Sequence, residues 1–336
     1  MDDLLVTTAK ASVAVLSLGG TIAMTGAAGD GVVPRLEGQD LVRAVPGLAD
    51  VACVQARTVR QLPGASLRLD DLYAVAEEVR AALDAGAVGV VITQGTDTIE
   101  ETAYCLDLLL DRREPVVVTG AMRNPTLPGA DGPANLLAAV VVAASGADLA
   151  GVVVVLGDEV HSARTVVKQH SVRPAAFASP GAGPLGLVAE GRLVLHARPL
   201  PKPVGVAPTV IRPSVWVPIV TIGLDDDARG LQAVAGADAV VLQAFGAGHV
   251  PSWLVQPIAQ LAALRPVVMV SRTGSGPVLR STYGFPGSER DLRARGVLSA
   301  GALDALKVRI LLLMLLRSGL TTDQVTEALA GLDLRA

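Results

Sequence analysis

Aromatic residues are scarce in this chain, with three Phe, three Tyr and two Trp among 336 positions. A nucleic-acid surface needs a basic stripe interleaved with aromatics, and the sequence offers neither. Charge points the same way: 28 Lys and Arg stand against 32 Asp and Glu, for a net charge of -4 and a pI near 5.6. The expected partner is a small molecule and not a nucleic acid. Cysteine is almost absent, and Cys53 and Cys105 lie outside any C-x-x-C pattern, so buried free thiols are expected in place of a disulfide or redox pair. The histidines, His161, His170, His196 and His249, show neither H-E-x-x-H nor close Cys/His spacing, which argues against a metal. Long apolar runs are missing as well. Those at 140–144 and 310–316 fall far below the roughly 20 residues that span a membrane. The opening residues Met1-Asp2-Asp3-Leu4-Leu5 lack the basic region and apolar core of a secretory signal. A cytoplasmic location without a membrane partner is expected.

What the sequence does have is apolar bulk: 51% of residues are apolar and 18% charged, which suits two cores and excludes disorder. Between residues 12 and 195, short β-branched runs at 13–16, 88–93, 116–118 and 152–156 alternate with helical stretches at 70–83, 98–111 and 135–144. Continuous apolar strands alternating with helices predict an α/β domain with a parallel sheet covered on both faces. Asp70-Asp71 and Asp97 or Thr98 stand where helix N-caps belong. Pro199, Pro201, Pro203, Pro208 and Pro213 favour extended backbone, so residues 197–214 read as a linker between a domain at 1–196 and a smaller α/β domain at 215–336. In the latter, strands are expected at 217–222, 239–242 and 267–270, and helices at 251–264 and 301–318.

Two segments carry the chemistry. Leu18-Gly19-Gly20-Thr21-Ile22-Ala23 and Ile92-Thr93-Gln94-Gly95-Thr96-Asp97-Thr98 each place a Thr where a strand should end. In open α/β sheets, ligands bind beyond the carboxyl ends of the strands. Gly-Gly-Thr lets the backbone approach a ligand with its N–H groups facing developing negative charge, although such a turn can also be purely structural or cradle phosphate. Asp97 reads either as a helix cap or as a ligand for a substrate ammonium. A threonine hydroxyl needs a base, and Lys168, beside Thr165-Val166-Val167, is the candidate if it is desolvated; an ordinary solvated lysine is the alternative.

Taken together, these segments resemble the bacterial-type L-asparaginase family. So do Val118-Thr119-Gly120-Ala121-Met122-Arg123, Ala130-Asp131-Gly132-Pro133 with Asn135, Ala163-Arg164-Thr165 with Lys168, and Gly183-Pro184-Leu185-Gly186, in family order between about residues 13 and 330. The resemblance implies an N-terminal flavodoxin-like domain and a smaller C-terminal α/β domain. It also implies a homotetramer of two intimate dimers, each site closed by the neighbouring subunit. Carried over by position, Thr21 matches the first nucleophilic threonine, and Thr96, Asp97 and Lys168 match the second with its acid and lysine. The implied reaction hydrolyses L-asparagine to L-aspartate and ammonia by double displacement, without cofactor or metal. Substrate contacts are implied at Gly20, Gly64, Ala65, Ser66, Gly95, Thr96, Asp97 and Ala121.

The match has gaps. Family members carry a tyrosine on the loop after the first threonine, yet 23–36 contains none, and Gly31 falls near that position. Tyr283 is the candidate to reach an active site in its stead. The loop Leu62-Pro63-Gly64-Ala65-Ser66-Leu67 places Gly64 and Ala65 where a serine and a polar neighbour are usual, with Ser66 late. The Asn and Glu that cross the dimer appear as Ala247 and as Thr282 or Tyr283, which removes a carboxylate from the ammonium pocket. Reduced activity on glutamine is expected, since a longer substrate depends more on those contacts. Two other readings are a related amidase, including the ammonia-producing subunit of a transfer-RNA amidotransferase, and a non-catalytic amino-acid sensor. The first would call for a further N-terminal domain, and the second has no use for both threonines with the Asp and Lys.

Overall fold

The computed structural model describes residues 10–20, 22, 24–25, 33–34, 37–198, 205–207 and 209–333. Thr21 therefore lies outside the described residues, as does most of the loop at 23–36. The chain divides into two compact units, Met1–Pro201 and Lys202–Ala336.

The first unit is built on an eight-stranded sheet: β1 (Ser12–Ser17), β2 (Cys53–Thr58), β3 (Gly89–Thr93), β4 (Val116–Thr119), β5 (Val152–Leu156), β6 (Glu159–Ser162), β7 (Gly186–Ala189) and β8 (Arg192–Leu195). Its order is β8-β7-β6-β5-β4-β3-β1-β2. The strands from β2 to β5 are parallel. Every residue of β3, β4 and β5 is buried, which is why they read as unbroken runs of Val, Ile and Leu with no polar alternation. The parallel part has the flavodoxin-like order 2-1-3-4-5, and its direction of winding reverses between β1 and β3. The crevice over that switch point receives the loops that begin at Leu18 and Gln94.

An all-parallel sheet is too simple a description, because β6, β7 and β8 run antiparallel to their neighbours. The cause is local. Gly157-Asp158 and Glu190-Gly191 have φ of 59°, 65°, 50° and 69°, the two-residue turn with both centres left-handed that folds a right-twisted strand back on itself.

By alternation, Val13, Val15, Val91, Val117, Val153 and Val155 share one face, and they form a core with Leu136, Ala139, Val140 and Ala143 of a helix at Gly132–Ala144. Helix α1 (Leu69–Asp84) packs on β3, and helix α2 (Ile99–Leu109) packs on β4 and β5. The N-cap of α1 is Arg68, not Asp70 or Asp71. Asp71 sits in the first turn, where its carboxylate accepts the Arg68 N–H at 3.0 Å and pairs with Arg60 at 2.7 Å. Cys105 is buried as expected, but Cys53 is exposed, since it opens the edge strand β2.

The second unit holds β9 (Ile219–Thr221), β10 (Val240–Ala244), β11 (Val267–Ser271) and β12 (Leu298–Ser299), parallel and in that order. Its core joins Leu242 and Met269 to Leu254 and Ile258, the latter on a helix at Val255–Ala262. Among the described residues, no helix is long and apolar enough to cross a membrane, and no group of three His, Cys, Asp or Glu could hold a metal ion.

Candidate active site

Three loops meet over the switch point with no side chain between them. A Cβ on Gly20 would lie 2.0 Å from the Gly95 nitrogen, and one on Gly64 would lie 2.7 Å from the Gly95 oxygen. Gly20 also has φ +83°, a conformation that costs an L residue free energy even in open space. Gly20→Ala should therefore lose about 2 kcal/mol or more of unfolding free energy, since strain and backbone overlap add, and it should lose activity with it. Urea titration beside a turnover assay checks this; an unchanged midpoint would refute the close approach.

Beyond Gly95 the chain enters a 3-10 turn, Thr96–Thr98, that leads into α2. Thr98 is the N-cap residue of α2, but its side chain does not cap. Its hydroxyl donates to the Gly64 oxygen at 3.0 Å and accepts from Gln94 Nε2 at 3.2 Å, tying the β3 loop to the β2 loop. Asp97 is not the cap either. Its side chain is 67% exposed and faces Lys168, whose Nζ donates to Asp97 Oδ1 at 2.7 Å and to Thr96 Oγ1 at 2.9 Å. Lys168 is not the solvated lysine of the alternative reading, as its side chain is 13% exposed. The Thr96 hydroxyl thus lies beside an amine that can exchange protons with it, and an acid stands on the far side of that amine.

The loop after β4 closes the base of the site. A Cβ on Gly120 would meet the Gln94 oxygen at 2.6 Å and Thr96 Cγ2 at 3.3 Å, so this loop lies against the Thr96–Thr98 turn. Asp131 accepts the N–H groups of Met122 and Arg123 at 3.0 and 2.8 Å. Asn135, buried at the start of the helix Gly132–Ala144, donates to the Gly120 oxygen at 3.0 Å and accepts from the Gly157 N–H at 3.0 Å.

Of the residues singled out in the sequence, Gly20, Gly64, Gly95, Thr96, Asp97 and Lys168 come together here. Ala65 and Ser66 follow Gly64 in an exposed 3-10 turn, and Ala121 is buried next to Gly120. Thr21 adjoins Gly20 but lies outside the described residues. Tyr283 belongs to the second unit, 42% exposed, with its ring edge-on to His249 at 4.8 Å. Its N–H and that of Thr282 donate to Glu289 Oε1 at 2.8 and 2.7 Å. Gln94 and Asn135 were quoted in the motifs without a role, and Thr98 only as a candidate helix cap. Polar side chains flanking an apolar strand end were the available signal.

Comparison with known proteins gives the relatives of the chain. Residues 12–201 match the family described as Asparaginase, N-terminal, and residues 216–329 match the Glutaminase/Asparaginase C-terminal domain. The L-asparaginase of Bacillus licheniformis is 32% identical over 312 residues, covering 91% of this chain and 95% of the relative. The glutaminase-asparaginase of Pseudomonas fluorescens biotype A is 36% identical over 265 residues, 76% of this chain and 73% of the relative. A crystal structure of a probable cytoplasmic L-asparaginase from Campylobacter jejuni superposes with a TM-score of 0.83 at 29% identity, covering 96% of this chain and 99% of that one.

Proposed function

The chain belongs to the bacterial-type L-asparaginase family of amidohydrolases, and from that premise we propose that it hydrolyses the side-chain amide of L-asparagine to L-aspartate and ammonia. A threonine hydroxyl attacks the amide carbon, and ammonia leaves carrying the displaced proton. Water then opens the β-aspartyl ester to give the free acid and restore the hydroxyl. We assign the first attack to Thr21 and the second threonine function to Thr96 with Lys168 and Asp97. The observation that carries this reading is the Lys168 nitrogen, held within 2.9 Å of Thr96 Oγ1 and 2.7 Å of Asp97 Oδ1. Asp97, largely exposed toward the crevice, is suited to the substrate α-ammonium, and the bare backbone of Gly20, Gly64 and Gly95 to its carboxylates.

The same reading makes the enzyme a cytoplasmic homotetramer whose sites are completed by a neighbouring subunit, with Tyr283 reaching one of them. Ammonia release from L-asparagine tests the whole assignment, with Thr21→Ala as the control that should abolish it; release that persists in that variant would move the nucleophile elsewhere. Asparagine is expected to exceed glutamine in kcat/KM by at least about tenfold. Each missing charge-assisted contact contributes roughly 1.5–3 kcal/mol, and the longer amide relies on more of them. Equal values for the two amides would refute this.

A further inference from the structure

Lys168 stands on a very short hairpin, Val167–Lys168 against Phe177–Ala178, with Lys168 opposite Phe177. Two paired residues on each arm cannot hold an amine in place by themselves. The Gln169 N–H donates to the Ala176 oxygen at 2.7 Å on one side of the pairing. On the other side is a chain of side chains that the reaction does not use. Thr165 Oγ1 donates to Ser179 Oγ at 3.0 Å, and Ser179 Oγ lies 3.1 Å from His161 Nδ1. Thr165 precedes one arm and Ser179 follows the other. His161 is completely buried on β6, where it pairs with Val154 of β5, so the chain fastens both arms to the main sheet.

A neutral imidazole fits these hydrogen bonds. Thr165 gives its proton to Ser179, which leaves the Ser179 proton for His161, and Nδ1 can accept it only if the ring carries its hydrogen on Nε2. Burial pushes the His161 pKa down and outweighs the opposing pull of Glu159, whose Oε2 is 3.2 Å from Nε2 but out of hydrogen-bond alignment. Surroundings and hydrogen bonding thus favour the same state.

We propose that His161, acting through Ser179 and Thr165, is a positioning residue that sets the distance from Lys168 to Thr96. The proposal rests on the reading of Lys168 as the proton-exchanging amine of the site. The backbone that carries Asp97 and the three glycine loops lies outside this hairpin, so loosening it should damage turnover more than substrate affinity. A displacement of about 1 Å at a reacting group can cost on the order of 100-fold.

The test compares steady-state asparagine hydrolysis by His161→Leu, Ser179→Ala, His161→Asn and Lys168→Met, with thermal midpoints measured alongside. His161→Leu and Ser179→Ala should lower kcat by about 10- to 100-fold with KM within about twofold. His161→Asn should recover kcat to within about threefold of the parent, because its Oδ1 occupies the place of Nδ1 and accepts the same proton. A fall in kcat that tracks a fall in thermal midpoint in both His161→Leu and Ser179→Ala, with no recovery in His161→Asn, marks a general loss of folded protein, and that result overturns the proposal. So does a kcat within twofold of the parent in Ser179→Ala, the smaller excision that answers the question if His161→Leu does not fold. Full activity in Lys168→Met would instead remove the reading of Lys168 itself. An inactive Lys168→Met beside fully active His161 and Ser179 variants would remove only the positioning role.

Discussion

Thr96→Val is expected to lower kcat on asparagine by at least ~10^3-fold while the protein stays folded. Valine keeps the shape of the side chain, and the methyl that faces Gly120 is retained, so a site that is 6% exposed accommodates it without a cavity. What disappears is the hydroxyl that sits 2.9 Å from Lys168 Nζ. Lys168 keeps its bond to Asp97, so its ammonium is not stranded. The stability cost should accordingly stay near 1 kcal/mol, the net worth of a single hydrogen bond. Ammonia release together with the denaturation midpoint separates the two quantities. A kcat within tenfold of the parent would show that Thr96 only lines the pocket.

Lys168→Met is the second large effect, a loss of about 10^2- to 10^4-fold in kcat, the range that a positioned proton donor or acceptor contributes. Methionine approximates the length and the apolar stem but exchanges no proton. Lys168→Arg sharpens the test, because a guanidinium keeps the charge and cannot be deprotonated in a protein. If the amine exchanges protons with Thr96, arginine should be about as poor as methionine. If it serves only as a fixed positive charge beside Asp97, arginine should restore most of the rate. Stability should change by less than about 1 kcal/mol in either variant, since Asp97 is 67% exposed and its pairing is well screened.

How much of this could be read beforehand depended on burial. The strands Gly89–Thr93, Val116–Thr119 and Val152–Leu156 announce themselves because both faces are covered and every position is buried, apolar but for the terminal Thr93 and Thr119. Cys53–Thr58 gives no such signal: it is an edge strand, and Gln55, Arg57 and Thr58 are exposed. The antiparallel strands β6 to β8 are four residues each, shorter than periodicity can resolve, although Gly157-Asp158 and Glu190-Gly191 were turn signals in plain view. Thr98 does stand at the N-cap of its helix, but competition takes the expected capping side chains elsewhere. Asp97 is taken by Lys168 and Thr98 by the Gly64 oxygen, and no local rule foresees a partner some 30 to 70 residues away. Thr96, Asp97 and Lys168 were legible as a set because each lies in a motif. His161 and Ser179 were not, because neither sits beside the chemistry in sequence and a buried histidine is ordinary on its own.

The meeting of Gly20, Gly64 and Gly95 also bears on how the enzyme is born. Backbone segments that far apart along the chain can touch only after two long crossover connections have closed and β1 lies between β2 and β3 in register, and such non-local closures are the slow events of folding. During refolding from denaturant, collapse and helix signals should return first. Hydrolysis of the amide should appear only with the last parallel pairing, which makes catalytic recovery a clock for completion of the sheet.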